Sequence, residues 1–154
     1  MTIDLDKACH HAREAALAAW EVIRPFFRGE YEIYKKKGEG PATEADIAAD
    51  HEIIAFLQQY YPPDEFGYLT EETEKKDERL SRPYCWIIDP IDGTKEFIAG
   101  RADFAVHVGL AGRTAPGEPV VALAGVVYQP KEKILYHARR GGGAWAENLA
   151  TGEN

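Results

Sequence analysis

A chain of 154 residues, 45% apolar and 29% charged, is long enough to form one domain around its own core. Its net charge of −8 argues against a broad nucleic-acid surface, and no run approaches the ~20 apolar residues that span a bilayer. The opening Met1-Thr2-Ile3-Asp4-Leu5-Asp6 has neither the basic nor the apolar stretch of an export leader, and Cys9 and Cys85 sit among apolar neighbours as expected for buried free thiols; a cytoplasmic protein is the expectation.

Residues 3 to about 27 carry Leu5, Ala8, Cys9, Ala12, Ala15, Ala16, Ala19, Ile23 and Phe26 at three- and four-residue spacing, which predicts an amphipathic helix ended by Pro25. Trp20, Phe26 and Phe27 are expected in the core, and His10 and His11 on a solvated flank. The polar run 28–42 reads as a loop or hairpin. Its Lys35-Lys36-Lys37 is either a solvated charge run or a flap whose lysine reaches a phosphate. Thr43 with Asp46 three residues on makes a capping box at the start of a second helix, which Pro62-Pro63 stops. Glu65 to Leu69 reads as a short strand ending at Thr70-Glu71-Glu72, and 74–83 as a charged loop. Beyond residue 100, strands are expected at 103–110, 120–128 and 133–138, with a last short one at 141–147. Two long helices followed by hairpin-linked strands predict an α+β fold with the helices packed on a largely antiparallel sheet.

The segment Trp86-Ile87-Ile88-Asp89-Pro90-Ile91-Asp92-Gly93-Thr94 carries the chemistry. Three apolar residues read as a buried strand that stops at Asp-Pro, followed by two carboxylates at i and i+3 and then Gly-Thr. Hard carboxylate oxygens suit Mg²⁺, and adjacent backbone N–H groups suit an anion. A surface turn is the competing reading of the same residues. The signature of haloacid dehalogenase-type phosphatases, Asp-x-Asp-x-Thr, has a different carboxylate spacing. That difference argues against an aspartyl-phosphate intermediate and for a metal-activated water.

Four segments, Pro41-Ala42-Thr43-Glu44-Ala45-Asp46, Glu71-Glu72, Trp86 to Phe97 and Gly125 to Pro130, resemble the inositol monophosphatase superfamily in order and spacing. Lys95-Glu96-Phe97-Ile98 is most similar to its 3′(2′),5′-bisphosphate nucleotidase branch. The resemblance implies a Mg²⁺-dependent phosphomonoesterase that removes the 3′-phosphate of adenosine 3′,5′-bisphosphate, with inositol monophosphate or another sugar phosphate as the alternative substrate. It implies two or three Mg²⁺ ions held by Glu71, Asp89, Asp92 and the carbonyl of Ile91. Asp46 would sit beside Thr94 and help position the attacking water, with Glu71 also serving catalysis, and the Gly93 and Thr94 N–H groups would hold phosphate. Glu72 would be a neighbour rather than a ligand.

Two departures accompany the resemblance. Thr70 stands where the family has glycine, and the chain reaches Asn154 without the family's second α/β domain or its further Trp-Asp ligand, since Ala146 follows Trp145. Residues 1–154 are therefore expected to be a single domain equivalent to the family's amino-terminal one, with one metal site weakened and little or no turnover. A non-catalytic metal- or anion-binding domain is the alternative of another class. The expected partner is a small phosphorylated substrate, not a nucleic-acid polymer or a membrane, and a homodimer is possible.

Overall fold

The computed structural model describes residues 2–35, 40–72 and 81–154. Two helices, α1 (Leu5–Ile23) and α2 (Glu44–Gln58), pack against each other and against one face of a six-stranded sheet. The strands are β3 (Phe66–Thr70), β4 (Tyr84–Asp92), β5 (Ala105–Gly112), β6 (Val121–Gln129), β7 (Ile134–Arg139) and β8 (Gly143–Asn148), in spatial order β3 to β8. β3 runs parallel to β4, and every later pair is antiparallel. A separate ribbon, β1 (Ile33–Lys35) with β2 (Pro41–Thr43), leads into α2, and a five-residue helix, α3 (Thr94–Ile98), follows β4. The expected α+β architecture is the observed one.

Alternation along the strands selects the core. Trp86 and Ile88 of β4, Val106, Val108 and Leu110 of β5, and Val126 and Tyr128 of β6 point toward the helices. They meet Ala8, Ala12, Ala15, Ala16 and Ala19 of α1, small side chains that let the helix lie close to the sheet. α1 covers β5, β6 and β7, while α2 lies over β4. Phe97 of α3 is fully buried beside Phe27, Tyr31 and Phe104, which fixes the short helix beneath the end of β4.

Several expectations need correction. α1 stops at Ile23, with Asp4 as its N-cap through bonds from the Asp6 and Lys7 amides. Ile87 is 45% exposed because pleating turns it to the face away from the helices, so 86–88 is not an apolar run buried on both sides. Nor does β4 end at Asp89-Pro90. It continues to Asp92 through a register shift between Asp89 and Asp92, where the lack of a proline N–H interrupts the ladder least. Cys9 is buried, but Cys85 is only half-buried. His11 is no solvated side chain: its ring stacks on Tyr60 at 3.9 Å, and its Nδ1 lies 2.9 Å from the Tyr61 hydroxyl. Trp20, Phe26 and Phe27 are half-buried against the core. Lys36 and Lys37 of the lysine run, and residues 73–80 of the charged loop, lie outside the described residues.

Candidate active site

Asp46 is the residue on which the site converges. It is the third residue of α2 and only 1% exposed, and its two oxygens have separate tasks. Oδ2 accepts from the Thr43 amide at 2.7 Å and the Thr43 hydroxyl at 2.5 Å, which closes the capping box. Oδ1 accepts from the Thr94 hydroxyl at 3.1 Å, across 48 residues of sequence. Capping and a role at the site are therefore not alternatives for this carboxylate. Burial pushes its pKa up, against the hydrogen bonds from Thr43 and Thr94 that pull it down.

Thr94 is delivered by the backbone turn at Gly93. That glycine has φ 99°, and a Cβ there would stand 3.0 Å from the Asp103 carbonyl oxygen and 3.2 Å from Phe104 Cα. Any other residue would have to hold this left-handed conformation and press on the Asp103–Phe104 backbone just before β5. The Thr94 Oγ1 also lies 3.0 Å from the Ile91 carbonyl oxygen, so β4, α3 and α2 are joined through one hydroxyl. Gly93, Thr94, Lys95, Glu96 and Glu71, with Gly40 and Pro41 opposite, line a cleft of about 370 Å³.

The acidic side adjoins it. Glu71 and Asp89 line a neighbouring hollow of about 310 Å³ together with Thr70, Ile87, Ile88 and His107. Burial, then the charges of Glu71, Asp92, Asp46 and Glu72, push the Asp89 carboxyl up to about 7. Its Oδ1 is buried and meets no hydrogen-bond donor among the described residues. Asp92 is turned outward, with Oδ2 3.4 Å from Nε2 of His107. Among the described residues, no three His, Cys, Asp or Glu side chains close into a ready-made metal cage. Uncompensated carboxylates repel, and an open arrangement with one orphaned oxygen fits the demand of a hard cation for negative oxygen ligands.

The expected site residues are thus brought together in part. Asp46 and Thr94 touch, Gly93, Thr94 and Glu71 share the cleft, and Glu71 and Asp89 share the hollow. Asp92 stands at the rim, and the Ile91 carbonyl faces the Thr94 hydroxyl while its side chain is buried. Three further residues lie here that the sequence reading assigned no role. Lys95 lines the cleft, His107 is the cross-strand partner of Asp89, and Asp50 is completely buried one turn beyond Asp46. The i, i+4 spacing of Asp46 and Asp50 was the available signal for the last.

A sequence model of the inositol monophosphatase family matches residues 4–153. The 3′(2′),5′-bisphosphate nucleotidase CysQ of Salmonella typhimurium is 37% identical over 144 residues, covering 93% of this chain and 54% of that protein. Among solved structures, CysQ from Bacteroides thetaiotaomicron superposes with a TM-score of 0.74 at 32% identity, over 96% of this chain and 51% of its own. The extragenic suppressor protein suhB of Bartonella henselae gives 0.79 at 27% identity, over 91% and 52%. The chain spans about half the length of the relatives it matches.

Proposed function

Because the chain belongs to the inositol monophosphatase family, we propose that it carries the metal and water-positioning half of a Mg²⁺-dependent phosphomonoesterase. We infer adenosine 3′,5′-bisphosphate as the substrate, from the similarity to proteins named bisphosphate nucleotidases. The observation that carries the reading is the Asp46–Thr94 hydrogen bond beside the acidic hollow of Glu71 and Asp89. Glu71, Asp89, Asp92 and the Ile91 carbonyl would hold Mg²⁺, which when bound neutralises phosphate charge and makes water more acidic.

The chain's own groups supply the rest. With its proton directed to Asp46, the Thr94 hydroxyl keeps lone pairs for a proton of the attacking water, so it orients that water. Asp46, already raised in pKa by burial, is the acceptor toward which the proton moves. Gly93 exposes backbone rather than side chain to the cleft, and its amide and that of Thr94 open α3 without a capping side chain to compete for a phosphate oxygen. Lys95 adds a cation along the same wall.

The test is phosphate release from adenosine 3′,5′-bisphosphate and from inositol 1-phosphate, with Mg²⁺ and with EDTA, by wild type and Asp89→Asn. The expected result is slow Mg²⁺-dependent release, in keeping with the low turnover expected of residues 1–154, faster from the nucleotide and lost in the variant. Faster release from inositol 1-phosphate would replace the nucleotide by a sugar phosphate. Metal binding without release would overturn catalysis by this chain and favour a metal-binding domain.

A further inference from the structure

α2 sends two buried carboxylates toward the site, and only Asp46 is used by the function proposed above. The other, Asp50, is 0% exposed and one turn further along the same helix. Its Oδ2 lies 3.4 Å from the hydroxyl of Thr70, which is itself 3% exposed. Thr70 ends β3 and is followed immediately by Glu71, so a group that fixes Thr70 fixes the backbone from which Glu71 projects. The arrangement parallels the first one. Asp46 holds Thr94, just past Asp92, and Asp50 holds Thr70, just before Glu71. One helix thereby ties down both chain segments that carry the expected ligands.

A buried carboxylate is costly unless it is hydrogen-bonded, and an apolar residue would fill this position in a helix otherwise packed through Ala45, Ala49, Ile53 and Leu57. We propose that Asp50 is a positioning residue for Glu71, acting through Thr70, so that the Asp50–Thr70 contact sets the affinity of the acidic hollow for a divalent cation. The inference rests on the metal-site reading of Glu71 and Asp89.

The experiment is titration of the full chain with Mn²⁺ alone, followed by electron paramagnetic resonance of the free ion, with thermal unfolding recorded on the same samples. Thr70→Val and Asp50→Ala break the contact, whereas Thr70→Ser and Asp50→Asn keep a hydroxyl and an acceptor. Outer partners of metal ligands typically change affinity by about 10- to 100-fold. We expect roughly 10-fold weaker Mn²⁺ binding in the two breaking variants and near-wild-type binding in the two conservative ones. The Asp50→Ala/Thr70→Val double variant should be no weaker than the worse single one, because both remove the same contact. If Asp50→Ala does not fold, the Thr70→Val and Thr70→Ser pair decides alone. Lower melting temperatures with unchanged Mn²⁺ affinity would overturn the inference and leave the metal site standing. Wild type that fails to bind Mn²⁺, or binds it no better than Asp89→Asn does, would overturn the metal-site reading and this inference with it.

Discussion

Thr94 is the smallest part of the site with a distinct chemical task, and its neighbours define how it can be tested. Its hydroxyl reaches a buried carboxylate on one side and the Ile91 carbonyl on the other. Thr94→Val keeps the shape and removes the hydrogen bond to Asp46. The expected cost is about 1 kcal/mol of stability by denaturant unfolding, and on the order of a 100-fold loss of phosphate release. Thr94→Ser should restore most of both. At Gly93 the constraint is steric. With φ 99° and only 3.0 Å between a new Cβ and the Asp103 carbonyl oxygen, Gly93→Ala should lower stability by about 1–3 kcal/mol, a loss visible in the melting temperature. An alanine variant as stable as wild type would mean that the turn can relax without disturbing α3. Both residues stood out in the sequence as part of Asp-x-x-Asp-Gly-Thr, and it was the family resemblance, not spacing, that implied Asp46 beside Thr94. A 48-residue separation leaves no trace in local spacing.

Elements were more legible than their pairing. The capping box of Thr43 and Asp46 and the period of α1 follow from neighbouring residues, and both are present. The path of β4 was not legible, because Asp-Pro normally ends a strand. Pairing with β5 on both sides of the irregularity carries it on to Asp92. The contact between α1 and β8 was equally hidden. Arg13 Nε and Nη2 reach the two carboxylate oxygens of Glu147 at 2.9 and 2.5 Å, across 134 residues. The hydrogen bonds from Arg13 hold the Glu147 carboxyl below its ordinary value. A lowered carboxyl pKa stabilises the fold above the unfolded value and ceases to do so as pH falls through the folded one. Arg13→Ala should therefore cost about 1–2 kcal/mol at pH 7, as expected for a half-buried bidentate pair. The deficit should shrink toward pH 3. A deficit of the same size at both pH values would assign the effect to lost packing of the arginine stem.

At the scale of the whole molecule, the helices support a sheet edge whose far ends gather negative charge. The acidic motif was visible in the sequence as a ligand pattern. Its electrostatic cost was not, since that depends on how deeply Asp89 is buried and on how near Glu71 and Asp92 stand to it. Among the described residues, no helix is long and apolar enough to cross a membrane, in keeping with the composition. Without a cation, Asp89 is a liability. Its folded pKa of about 7 lies above its ordinary value, so the carboxyl favours the fold least when ionised, and stability falls as pH rises from about 4 through 7. Binding of a divalent ion to the folded state alone reverses that, by RT ln(1 + [L]/Kd). The most direct measurement is thermal unfolding of wild type and Asp89→Asn at pH 5 and pH 8, in EDTA and in excess Mg²⁺. In EDTA at pH 8 the variant should melt higher, by a few degrees for about 1 kcal/mol, with the gap narrowing at pH 5. In Mg²⁺ at pH 8 wild type should rise and overtake the variant. Wild type indifferent to Mg²⁺, or a variant less stable than wild type in EDTA at both pH values, would contradict a cation site at Asp89 and make that carboxylate structural.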